Sequence, residues 1–156
     1  MPPTRVLFGD RIGQGAKLRP SCVAVIFDSE RRVLLMRRGD NGQWCLPGGA
    51  LEAGESATEG TEREVLEETG LRVQVRRLVG IYSSPHRIVE YPGGERVQAV
   101  SMTFEVEIIG GRLRTSAEAT ELVYVARADL TKLDIFADHL ERVLDALKPG
   151  GAPYLK

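Results

Sequence analysis

The chain has 156 residues, of which 42% are hydrophobic and 28% charged. That is enough for one domain with its own core, and it excludes a disordered or fibrous chain. The formal net charge of −1 excludes a global basic field aimed at nucleic acid or an anionic membrane, so a phosphate-bearing ligand must be held by local arginines and metal.

The first 19 residues read as a Gly- and Arg-rich arm with one short strand at most, and the main domain is expected over 20–148. The first ten residues lack the charged start, apolar stretch and cleavage site of an export signal, and a cytoplasmic protein is expected. Cys22–Phe27 is apolar on both faces, which predicts a central strand, and at six residues it is too short to span a bilayer. The two cysteines, Cys22 and Cys45, cannot build a disulfide scaffold and read as small buried hydrophobes. Asp28-Ser29-Glu30 is a turn signal and Val33–Met36 a second strand, so a hairpin is expected. A polar loop over 37–42 leads to the apolar segment Trp44–Leu46, which ends at Pro47-Gly48-Gly49.

The spacing predicts a helix over Ser56–Thr69, with Ser56 and Glu59 as a capping box and Gly70 as its C-terminal stop. Alternating apolar residues predict one or two strands over Leu71–Tyr82 and a turn at Tyr91–Gly94. A long strand follows over Arg96–Ile109, with a bulge near Val100-Ser101 where the phase changes. Glu121–Ala126 reads as a last strand and Ile135–Leu147 as an amphipathic helix on Phe136, Leu140, Val143, Leu144 and Leu147. The tail, 149–156, is expected to fray.

The predicted helix over Ser56–Thr69 breaks its own rules. Glu64, Glu67 and Glu68 crowd its last two turns, where the helix dipole disfavours negative charge, and their i, i+3, i+4 spacing puts them on one face. Each conflict costs from a few tenths to ~1 kcal/mol. Local rules broken together point to function. A hard divalent cation relieves such a cluster, since magnesium takes oxygen ligands from carboxylates and substrate phosphates. A solvated acidic face is the competing reading. Gly48 and Gly49 just upstream permit close backbone approach to a metal or phosphate.

Taken together, Gly49, Glu55, Arg63-Glu64-Val65, Glu67-Glu68 and Gly70-Leu71 resemble the full box of the Nudix hydrolases, G-x5-E-x7-R-E-U-x-E-E-x-G-U with U apolar. Each fixed residue type makes up at most about 7% of an average protein, so the chance of all seven fixed matches at one start is below about 1 in 10⁸. The lead-in Trp44-x-Leu46-Pro47-Gly48-Gly49 is similar to the family's as well. The resemblance implies an α/β fold, an α/β/α sandwich around a central mixed β-sheet. It implies a MutT-like enzyme that cuts a pyrophosphate linkage in a nucleoside diphosphate derivative, with Mg2+ (Mn2+ as substitute) as cofactor. Glu64, Glu67 and Glu68 are then metal ligands, with the Gly48 carbonyl and a later-loop acid, Glu118 or else Glu121. Glu64 or Glu67 is the general base. Arg63 orients a carboxylate, and Gly49, Glu55 and Gly70 are structural.

The substrate is less constrained. In the family a proline about fifteen residues past the box goes with ADP-ribose hydrolysis, and Pro85 is the fourteenth residue after Leu71. That favours ADP-ribose or a nucleotide sugar over a nucleoside triphosphate. A non-catalytic nucleotide-sensing module is the further alternative, though such members usually lose box carboxylates and this chain keeps them. Tyr82 or Tyr91 is a candidate for base stacking, and Arg37, Arg38, Arg87 and His86 are candidates for phosphate contact. Neither a nucleic acid nor a membrane partner is expected. The larger ADP-ribose enzymes of the family carry a longer N-terminal region used in dimer formation, and the short arm before Pro20 counts against the ADP-ribose reading; a homodimer is an open alternative.

Overall fold

The strand around Cys22–Ile26 is apolar on both faces because both faces are covered. In the computed structural model, which describes residues 2–156, the order is β1 (Arg5–Phe8), β2 (Lys17–Ile26), β3 (Val33–Arg38), β4 (Trp44–Cys45), β5 (Gly48–Ala50), α1 (Ala57–Thr69), β6 (Leu71–Tyr82), β7 (Arg87–Glu90), β8 (Arg96–Gly111), β9 (Ala119–Val125), α2 (His139–Leu147) and β10 (Tyr154–Leu155). On β2, Val23 and Val25 pack with Val143 and Ala146 of α2, while Ala24 and Ile26 pack with Val65 of α1. Successive residues of one strand thus feed two cores, one under each helix, as the period of a strand dictates. This is the α/β/α sandwich that the resemblance implies.

The larger sheet is mixed. β8 lies at its centre, parallel to β2 over the whole length of β2 and antiparallel to β6 and β7. β5 pairs antiparallel with β2, and β1 with β7. A second sheet runs β4-β3-β9. The hairpin expected from Cys22–Phe27 and Val33–Met36 shrinks to one bridge, Phe27 with Val33. Asp28 makes the turn, its side chain accepting from the backbone N–H groups of Glu30 and Arg32. Beyond that turn the strands splay, and β3 pairs with β4 and β9 instead.

Three further expectations are corrected. No irregularity falls at Val100-Ser101; the register of β6 against β8 shifts elsewhere, with Arg76 and Val79 extra on β6 and Ile109 extra on β8. β8 must stay regular there because β2 pairs with it without a break. The C-terminal helix starts at His139, since Ile135 bridges to Trp44 and Ala137 takes a left-handed φ of 52° that stops the helix from starting earlier. The tail does not fray within the described residues: Tyr154 and Leu155 lie parallel to Gly80 and Ile81 of β6. The arm also contributes structure, as β1 adds an antiparallel strand to β7 and β2 already begins at Lys17. Among the described residues no helix is long and apolar enough to cross a membrane.

Candidate active site

The α1 cap forms as the spacing predicts. Ser56 Oγ accepts from the Glu59 N–H, and the Glu59 carboxylate accepts from the Ser56 N–H. Gly70 ends the helix with φ 76°, a conformation few other residues adopt. Between these ends one guanidinium gathers Glu55, Glu64 and Glu67. Arg63 donates from Nε and Nη2 to the two oxygens of Glu55 at 2.9 and 2.7 Å. Its Nη1 reaches Glu64 at 3.0 Å and Glu67 at 3.3 Å, and Nη2 also reaches the Ala50 carbonyl at 3.2 Å. The planar fork suits this bidentate task. Hydrogen bonds from Arg63 and the Glu52 N–H hold the Glu55 carboxyl down at about 2.

Glu68 is buried, 3% exposed, and accepts from the Gly48 N–H at 2.8 Å. Burial pushes its carboxyl up to about 8, against that hydrogen bond, and the charges of Glu64 and Glu118 push the same way. Glu64 is raised too, by burial first, with Arg63 opposing and Glu67 and Glu118 adding. Glu67 is exposed. Gly49 brings its backbone against the Glu64 carboxylate so closely that an added Cβ would lie 2.5 Å from Oε1.

Gly48, Gly49, Glu68 and Glu118 line a cleft of about 560 Å³ between the α1 end of the sheet and the start of α2. Glu64 and Glu67 stand outside its lining, with Glu64 behind Gly49. Of the later-loop acids, Glu118 lines the cleft, whereas Glu121 is turned outward and pairs with Arg37 at 2.7 Å.

The expected substrate contacts divide. Arg38 and Arg87 line the cleft; Arg37, Tyr82 and Pro85 do not. Arg37 is drawn off by Glu121 and the Gly42 carbonyl. Tyr82 is fully buried and donates its hydroxyl to Asp145 at 2.8 Å, so it has no free face for a base. Pro85 instead accepts from the Gly13 N–H through its carbonyl. His86 accepts from the Arg11 N–H, also away from the cleft. Tyr91 lines the cleft, with Arg19 over its ring at 5.1 Å.

Sequence reasoning passed over the cleft's other wall. There Arg142, buried at the start of α2, donates to Asp138, Ser101 and Thr103, and Asp138 also holds Arg87 at 2.8 Å. His139 sits beside them, and Arg38 lies over the Phe136 ring at 4.5 Å. The available signal was the i, i+4 spacing of Asp138 and Arg142, which names an ion pair but not its burial. Gly60 is a second omission: a Cβ there would meet Leu51 Cδ1 at 2.7 Å and Glu55 Oε1 at 2.8 Å, so a larger residue would press on the Arg63–Glu55 fork.

The donors facing the acidic side are all hard oxygens, of the kind magnesium or manganese takes. In charge they also fit, since Glu64, Glu68 and Glu118 crowd one another. Among the described residues, however, no three acid, histidine or cysteine side chains converge as a preformed cage. Arg63 bonds one oxygen each of Glu64 and Glu67, and the Gly48 N–H one of Glu68, which leaves the other oxygen of each carboxylate without that bond.

The NUDIX domain model matches residues 17–147, and the chain belongs to the Nudix family of hydrolases. A MutT-like protein of Streptomyces ambofaciens is 36% identical over 87% of this chain and 80% of its own length. An ADP-ribose pyrophosphatase of Methanocaldococcus jannaschii is 35% identical over 79% of this chain and 70% of its own length. The crystal structure of a Nudix hydrolase from Nitrosomonas europaea aligns with a TM-score of 0.73 at 24% identity, covering 89% of this chain and 77% of that one, which supports the fold.

Proposed function

We propose that this hydrolase is divalent-metal-dependent and cuts the pyrophosphate linkage of a nucleoside diphosphate derivative, with ADP-ribose or a nucleotide sugar favoured. The observation that carries this reading is the juxtaposition in the cleft: crowded carboxylates behind Gly48-Gly49 on one side, Arg38 and Arg87 on the other. A diphosphate lying between them would meet the carboxylates that would hold a cation at one end and guanidinium at the other. The cleft volume falls in the range of small-molecule sites, roughly 300–1,000 Å³.

Glu64, Glu67, Glu68, Glu118 and the Gly48 carbonyl would hold Mg2+ or Mn2+. When bound, the ion supplies positive charge against the diphosphate oxygens and makes water more acidic. The chain's own residues do the rest. Arg63, fixed by Glu55, sets where Glu64 and Glu67 sit. Glu67, exposed and held only by a 3.3 Å contact to Arg63, is free to take the proton of water attacking phosphorus in line. Glu64 is the alternative base, but it is packed behind Gly49. Arg38 and Arg87 hold the far end of the substrate in that geometry.

Support for the narrower substrate comes from the Methanocaldococcus jannaschii relative. Pro85 no longer adds to it as a contact, since it lies outside the cleft. A product assay tests the reading. ADP-ribose should yield AMP and ribose 5-phosphate with magnesium or manganese and nothing with chelator. Release of pyrophosphate from a nucleoside triphosphate, with ADP-ribose untouched, would replace the diphosphate reading. Inertness toward a broad nucleotide panel with either metal would end it.

A further inference from the structure

The α2 end of the cleft holds a histidine that the mechanism above does not use. His139 is 8% exposed, and its Nδ1 accepts from the Leu46 backbone N–H at 3.0 Å. A ring nitrogen that accepts carries no proton, so in the neutral ring the proton sits on Nε2. The ring stays neutral because burial lowers its pKa well below the imidazole range, and the nearby Arg142, Arg38 and Arg87 act in the same direction against Asp138. The tautomer is therefore fixed, with Nε2–H as a donor.

That donor has no hydrogen-bond partner among the described residues. It is not sealed off either, because no fully buried side-chain nitrogen or oxygen among them lacks a partner. His139 lines the cleft, and its neighbour Phe136 meets the ring edge to face, with centroids 5.7 Å apart. A side chain more than nine-tenths buried thus offers one unspent N–H to the cleft.

Its surroundings say what the N–H takes. Arg87 gives Nη1 to Asp138 at 2.8 Å, while its Nε and Nη2 have no partner among the described residues. α2 begins here with no side-chain cap, so the positive end of its dipole faces the same place. Three guanidiniums, Arg38, Arg87 and Arg142, stand against two carboxylates, Asp40 and Asp138, leaving an excess of one positive charge. The complement is an anionic oxygen with no proton of its own. Leu46, which anchors His139, lies two residues from Gly48, which holds Glu68, at most about 7 Å along the chain.

We propose that His139 is a substrate-binding residue whose Nε2–H donates to a non-bridging phosphate oxygen, on the phosphate farther from the α1 carboxylates, with Arg87 beside it. The proposal rests on the reading of this cleft as the place where the diphosphate lies.

The test uses the full chain with ¹⁵N-labelled histidine. There are only two histidines, so His86→Gln assigns both. At pH 7 the His139 ring should give the neutral Nε2–H pattern, and its Nε2 signal should move on addition of AMP or inorganic phosphate. An Nδ1–H or doubly protonated ring overturns the proposal, as does an Nε2 signal that neither ligand moves. His139→Asn keeps an acceptor for Leu46 and removes the donor. It should weaken AMP and inorganic phosphate alike, by about 10- to 100-fold. His139→Gln, whose amide nitrogen falls near Nε2, should recover most of that loss. Unchanged affinity in His139→Asn, or a loss confined to AMP with phosphate unaffected, would put the donor elsewhere and sink the idea. If His139→Asn does not fold, the ring spectrum of the wild type decides alone. Failure of the broader functional reading has a different appearance: no turnover of any nucleotide, with the ring spectrum and phosphate binding intact.

Discussion

The acids in and just before α1 are held to different degrees. Glu55 receives the fork of Arg63, Glu68 the Gly48 N–H, and Glu67 one weak contact. Their replacements should therefore differ. Glu67→Gln should cut kcat by about 10²–10⁴-fold, the span of a lost general base. Stability should stay within ~0.5 kcal/mol, because the side chain is exposed and its removal relieves like-charge crowding. Steady-state kinetics beside a thermal melt measure both, and near-normal turnover would count against the assignment. Arg63→Lys is a subtler change. Lysine keeps the charge but cannot bind both Glu55 oxygens while also reaching Glu64 and Glu67. The magnesium concentration at half-activity should rise by about 10- to 100-fold, as for other groups that orient metal ligands. Restoration at saturating magnesium would confirm a positioning role, whereas a loss that no magnesium level recovers would assign Arg63 to the substrate.

At the scale of elements, α1 carries an unusual burden, since its acids oppose its own dipole at the C-terminal end. The capping box at Ser56 and Glu59 offsets part of that. Ser56→Ala should cost about 1 kcal/mol and lower Tm by about 2–4 °C, with kcat unchanged once the protein is folded. A calorimetric scan checks this, and no shift in Tm would mean that tertiary packing of Val65, not the cap, sets where the helix begins. The same helix shows what was legible in the sequence. Its start, its stop and its acidic face follow from local chemistry, so periodicity and capping signals locate them. The splitting of β2 and β3 into two sheets does not, because it depends on which strands arrive from far along the chain. The α2 wall was misread for a related reason. The leucines mark an apolar face, but the buried side chains include His139 and Arg142, whose burial depends on Asp138, Ser101 and Leu46 reaching them. Tyr82 was lost likewise: its aromatic ring suggested stacking, yet its hydroxyl is satisfied inside by Asp145.

For the whole molecule, the buried acid couples folding to pH, and on the proposed function to metal as well. The Glu68 carboxyl, at about 8 when folded, lies above its ordinary 4.5. The folded state therefore holds that proton more tightly than the unfolded chain does. Stability from this group is fully present below 4.5 and is lost as pH rises toward about 8. His139 runs the other way: its lowered folded pKa means stability present above its ordinary 6.5 and lost as pH falls below that value. The two overlap below pH 6.5, so the diagnostic window for Glu68 lies between there and about 8. In chelator, Tm should fall across that window. A divalent cation binds the ionised carboxylate, so magnesium should raise Tm more at the upper end than at the lower and flatten or reverse the slope. Glu68→Gln keeps an acceptor for the Gly48 N–H but cannot ionise, and it should abolish both the slope in chelator and its correction by magnesium. Melts of the two proteins at matched ionic strength decide the matter. A magnesium effect of equal size at all pH values, or one that survives in Glu68→Gln, would detach the cation from this carboxylate.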